Sequence, residues 1–166
     1  MAFVAGSRRK RSTPKSIVIP LFIGMLAVLS LLLFLYNFVW SSGSHQAEET
    51  IRQFYEYEQK GDYGSAWELF HSQMKARFPK EQYIQQRAQV MMQQLGARTF
   101  TFTMGKVEHI SAWQMAEETP ALQDVYTLAV TEKLMSVFGI MTIQQQVYAA
   151  KENGVYTLLW PFSERR

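Results

Sequence analysis

The chain has 166 residues, 17 Lys and Arg against 14 Asp and Glu, and no cysteine. That length holds one domain of ordinary size. The lack of cysteine excludes disulfides, thiolate metal sites, a cysteine nucleophile and lipoprotein anchoring. The positive charge is local: Arg8, Arg9, Lys10, Arg11 and Lys15 stand in residues 1–16 without an acid, and the other 12 basic residues face all 14 acidic ones. A basic face for nucleic acid is therefore not expected.

Residues 17–40 run for 24 residues without a charge, from Ile17 to Trp40. About 20 apolar residues cross a bilayer as a helix, so this stretch is expected to be a transmembrane helix. Pro20 falls in its first turn, where the missing N–H costs little. Tyr36 and Trp40 suit the interfacial aromatic belt. The apolar run is too long for the core of a cleaved signal peptide. Basic flanks stay on the cytoplasmic side, so residues 1–16 are expected inside as a basic tail and the rest outside. This gives a single-pass protein of the cell membrane whose first partner is the lipid bilayer.

Residues 41–46, opening with "SSGSH", read as a short linker. An extracytoplasmic α+β domain is expected over 47–162, with 163–166 as a C-terminal tail. Helical spacing begins near Ala47 and places Ala47, Ile51, Phe54, Tyr55 and Glu58 on one stripe. Gly61 ends that helix. Asp62 opens a second, Ser65-Ala66-Trp67-Glu68 matches a capping box, and Ala66, Trp67, Leu69, Phe70 and Met74 form its apolar side. Pro79 opens a third helix from Lys80 to Leu95, which buries Tyr83, Ile84, the stem of Arg87, Val90, Met91 and Leu95. Gly96 stops it.

After Gly96 the period changes to two. Phe100, Phe102 and Met104 alternate with threonines, and Gly105 reads as a bulge. Further strands are expected over Leu122–Met135, Ile140–Ala150 and Val155–Trp160, the last two joined through Asn153-Gly154, a strong hairpin signal. Three helices followed by about four strands predict an α+β fold with a curved antiparallel sheet covered on one face by helices.

"FYEYEQKGDYGSAWELF" followed by "FPKEQY" resembles the opening of domains with the nuclear-transport-factor-two-like fold of the cystatin-like superfamily, in bacterial versions tethered to the membrane. The likeness rests on Phe54, Tyr55, Gly61, Asp62, Tyr63, Ala66, Trp67, Leu69, Phe70 and Tyr83, and it spans about residues 47–160. It implies a cone in which the sheet wraps the helices around an interior that is catalytic, ligand-binding or simply packed. The residues Tyr55, Trp67, Phe70, Phe100, Phe102 and Met104 are the candidates to line such a cavity.

Signs of chemistry are few. His71, placed on the second helix near Glu68, is the single weak candidate for acid–base work. His45, His71 and His109 lack metal-ligand spacing, and there is no phosphate loop or nucleophile motif, so no metal or cofactor is expected. The basic corner Lys75, Arg77, Lys80 and the amide run Gln144, Gln145, Gln146 are candidate partner surfaces. The expected role is that of a non-enzymatic binding or scaffold module of a bacterial envelope complex, with an envelope protein or a homodimer as partner. A sensor for a small apolar ligand is the alternative, and an isomerase- or hydrolase-like enzyme using the cone cavity is the third reading.

Overall fold

The computed structural model describes residues 15–40 and 43–162, with side chains described over 22–36 and 43–162. Most of the basic tail, Ser41 and Ser42 of the linker, and the tail 163–166 lie outside the described residues. The chain divides into two compact units, 1–40 and 41–166.

The first unit contains helix α1, Lys15–Trp40. Apart from Ser30, whose hydroxyl bonds Ala27 O within the helix, its described side chains are apolar all round. They are also exposed on every side, among them Phe22, Leu26, Leu29, Leu33 and Tyr36. Among the described residues no helix is long and apolar enough to cross a membrane. Positions 17–21 and 37–40 of the expected span fall outside the described side chains, and what remains is shorter than the ~20 residues a bilayer requires.

The second unit is α+β. Its helical layer is α2 (Gly43–Lys60), α3 (Tyr63–Glu68), α4 (Ser72–Arg77), α5 (Lys80–Ala88) and a π-helical turn at Gln89–Gln94. Its antiparallel sheet is β1 (Phe100–Met104), β2 (Glu108–Trp113), β3 (Leu122–Ser136), β4 (Gly139–Glu152) and β5 (Val155–Leu159). Five helical segments and five strands thus stand, among the described residues, where three and about four were expected. The extra strand arises at Gly105. Its N–H bonds Ala129 O at 2.8 Å, and the chain then leaves and rejoins β3, so β1 pairs with Val130–Leu134 and β2 with Leu122–Thr127 on the same side.

The helical layer is more broken than the sequence pattern implies. Helix α2 begins at Gly43, so Gly43–Gln46 belong to its first turn and not to a tether. A side chain at Gly43 would collide with the Tyr126 and Tyr156 hydroxyls, which makes glycine the residue that seats this turn on the sheet. The expected second helix is two short ones. Between them Phe70 forms a parallel bridge with Leu158, its neighbours exchanging His71 N–H to Leu158 O and Leu158 N–H to Leu69 O. Backbone bonds to β5 outcompete helix continuation there. The expected capping box is also different: Asp62 accepts from the Ser65 N–H at 3.1 Å, and Glu68 turns to Lys80 instead.

The core lies between α2 and the inner sheet face. Ile51, Phe54, Tyr55, Phe70, Met74, Leu128, Val130, Val147 and Leu158 are all buried. Both long hairpins turn tightly. Asn153 and Gly154 have positive φ, the signature of a type I′ turn. Val137-Phe138 joins β3 to β4, with the Ser136 hydroxyl donating to Gly139 O and accepting from the Phe138 N–H.

Candidate functional site: a buried ionic network and an open strand edge

Glu58 stands on the apolar stripe of α2, where a carboxylate has no water to solvate it, and its side chain is 0 % exposed. Such a charge persists only if paired and hydrogen-bonded. Tyr83 Oη donates to one carboxylate oxygen at 2.5 Å and Arg87 Nε to the other at 2.6 Å, with Arg87 Nη2 also on the second oxygen. Burial, and then the negative charge of Glu58, pushes the Tyr83 phenol well above its ordinary range. The Tyr55 phenol is raised by burial and by Glu132. The Glu132 carboxyl, on the inner face of β3, is raised by burial; Arg87 opposes the shift and Glu58 adds to it. Glu58 is thus fully engaged by its donors.

The six candidate cavity residues all lie in one packed core or against it. Tyr55 meets Phe102 with ring centroids 5.5 Å apart, Phe102 meets Phe100 at 6.3 Å, and Met104 continues the same face of β1. Phe70 packs with Phe54, Tyr83 and Trp160 at 5.4, 4.9 and 5.0 Å, and Phe54 joins this group to the first through its ring contact with Tyr55 at 5.1 Å. Trp67 is half-buried at the border of that core. Its indole N–H donates to Phe78 O at 2.6 Å, and Lys75 and Lys80 lie over its ring. A depression of about 440 Å³ opens at another end of the domain, among Gly43, His109, Asp124, Tyr126, Lys151 and Tyr156.

His71 is not on a helix face beside Glu68. It occupies the break between α3 and α4, buried, and its Nδ1 caps α4 by accepting the Gln73 N–H at 3.2 Å. Its Nε2 lies 3.8 Å from Glu152. Burial lowers its pKa from the ordinary 6.5, and Glu152 opposes that shift. A histidine held neutral by folding takes a proton more readily when unfolded, so stability is lost as pH falls below about 6.5, and the loss is complete below the depressed folded value. Thermal unfolding followed against pH should therefore show wild type losing more Tm than His71→Asn between about pH 7 and pH 5.5. Asn keeps a capping acceptor but does not titrate, so parallel curves would refute the linkage.

The basic corner is internally occupied. Lys80 sits 2.5 Å and Lys75 3.7 Å from Glu68, and Arg77 covers the Phe162 ring at 4.2 Å. Among the described residues no group of His, Asp and Glu could hold a metal ion.

The amide run lies on an edge. β5 pairs with β4 only over Tyr148–Glu152, and among the described residues no strand pairs with that side of β4 from Gly139 to Val147. Ser136 opposite Gly139 and Glu152 opposite Val155 close two-residue turns. Both fix the alternation so that the even residues of β4 turn their N–H and C=O groups away from β3. Ile140, Thr142, Gln144 and Gln146 thus present an open ladder. From Leu134 to Ala150 the sequence has no charge, and it lacks the Lys and Pro with which edges are usually blunted. At its end Met135, Val137, Phe138 and Ile140 are all exposed, Phe138 at 84 %. Leu95 O accepts the Val137 N–H at 2.9 Å, and Val137 packs over Gly96, whose φ of +63° and lack of Cβ permit the approach. The tip is therefore anchored to the helical layer.

Sequence reasoning finds the amides but misses the ionic network and the apolar tip. The signal for the first is Glu58 itself, on a stripe where only a paired carboxylate can sit. No protein-family model matches the chain, and no curated protein matches it.

Proposed function

We propose that this chain is a single-pass, membrane-anchored, non-enzymatic binding module on the outer side of a bacterial cell membrane, serving as a scaffold in an envelope complex. The observation that carries the binding role is the open edge of β4, uncharged over 134–150 and ending in an exposed apolar tip. An edge of this kind is a template for strand addition. Anchoring through residues 17–40 is supported by the charge-free run of 24 residues, by the basic cluster before it, and by the described side chains of α1, which are apolar and exposed all round but for Ser30. A helix with no polar face needs an apolar surrounding. The order of helices then strands supports the cone-shaped, cystatin-like resemblance, with the α2 face seated inside a curved sheet. The partner is an envelope protein or a second copy of the chain.

The test is chemical crosslinking of the full-length protein in its own membranes, wild type against Thr142→Lys/Gln144→Lys. Both positions are exposed on the outer sheet face, so the fold should persist. The two lysines are expected to remove the wild-type adduct, because charged side chains on an edge block strand addition.

A further inference from the structure

We infer that the occupant of the open β4 edge is the same edge of a second copy, the two strands running antiparallel about a two-fold axis at Ile143. This rests on the binding role proposed above and names its partner.

The ladder is self-complementary. Outward groups at Ile140, Thr142, Gln144 and Gln146 are spaced symmetrically about Ile143, so a copy turned by a two-fold sets Ile140 against the second copy's Gln146 and Thr142 against its Gln144. Each of these is a hydrogen-bonded pair, and each recurs through the symmetry, as an isologous contact requires. Charge permits the match. A second copy brings its own charges to every contact, and like charges directly opposite are destabilising; Leu134–Ala150 has none.

Length fits as well. The slot on β4 is bounded by the Val137-Phe138 turn at one end and by Leu159 of β5, paired with Tyr148, at the other. The incoming strand reaches that second boundary at its own turn, where Gly139, the smallest residue of the stretch, comes level with Val147. Apolar surface is covered at the same time: Ile143, 39 % exposed in the single chain, meets its symmetry mate, and the apolar tip of each copy comes up against the end of the other's β5. A strand of a different protein would need the same neutrality and the same stop, and the chain supplies both itself.

The chain's lack of cysteine makes the register directly measurable. At the axis Ile143 forms a non-hydrogen-bonded pair with itself, for which Cα atoms stand about 4.5 Å apart, within disulfide reach. Full-length Ile143→Cys, oxidised in membranes, is expected to give a reducible dimer in high yield. Ile140→Cys and Gln146→Cys should fail singly and should link to each other when the two variants are co-expressed. If Ile143→Cys stays monomeric, or Ile140→Cys alone links as well as Ile143→Cys, the two-fold pairing is overturned. A disulfide between the Ile143→Cys variant and a different protein also overturns the second copy but leaves the binding role standing. A chain that links to nothing, and whose wild-type form yields no crosslinked adduct, overturns both.

Discussion

Replacing Arg87 by Met is expected to lower the stability of the domain by about 3 kcal/mol, within the range for stripping one partner from a buried ion pair. Glu58 is fully buried, and without Arg87 only the Tyr83 hydroxyl remains to hold its charge. The loss is placed at the low end because the Arg87 side chain is 29 % exposed, so water reaches part of the site. For a domain of this size each kcal/mol moves Tm by roughly 4 °C, which makes the shift readily seen in thermal unfolding. The mechanism has a distinguishing mark. Removing the whole set, as Glu58→Leu/Tyr83→Phe/Arg87→Met, should restore most of the stability, because apolar residues of similar volume replace a buried pair at little cost. If the triple variant is weaker than Arg87→Met by a sum of independent losses, the network is not the source of the effect.

Phe70→Ala is expected to be at least as damaging, at about 3–5 kcal/mol, the usual range for truncating a fully buried aromatic. Phe70 is 0 % exposed and touches Phe54, Tyr83 and Trp160 with its ring, while its backbone bridges β5 at Leu158. The cavity left by the ring would therefore lie where the helical layer is stitched to the last strand. Phe70→Leu, which fills much of the volume, should recover more than half of the loss in denaturant unfolding. Equal losses for Ala and Leu would place the role of Phe70 outside packing.

Both sites show how far a sequence can be read. The stripe Ala47, Ile51, Phe54, Tyr55 is visible because apolar periodicity is a local property, and so is the alternation of Phe100, Phe102 and Met104, buried or half-buried as expected. Asn153-Gly154 announces its turn because both residues tolerate positive φ. The break at Leu69–His71 carries no such mark. No Gly or Pro lies there, and the cause is a bridge to Leu158, 88 positions beyond Phe70; only tertiary contact could reveal it. His71 is consequently a cap and not a residue of a helix face. Glu58 and Arg87 each fall on a buried face in the sequence pattern, but 29 residues apart nothing local says that they meet. The Val137-Phe138 turn is marked in the sequence only at its flanks, by Ser136 and by Gly139 with its positive φ, while the contact with Leu95 that also holds it is not local. That turn and the Asn153-Gly154 turn agree on which residues of β4 turn their backbone groups outward.

On the proposed reading the domain works by binding through the open edge of β4. Crosslinking the full-length wild type and Thr142→Lys/Gln144→Lys side by side in membranes tests this most directly, with thermal unfolding confirming that both are folded. The expected result is a discrete adduct for wild type and its loss in the folded double variant. An adduct of undiminished yield in the double variant would contradict it.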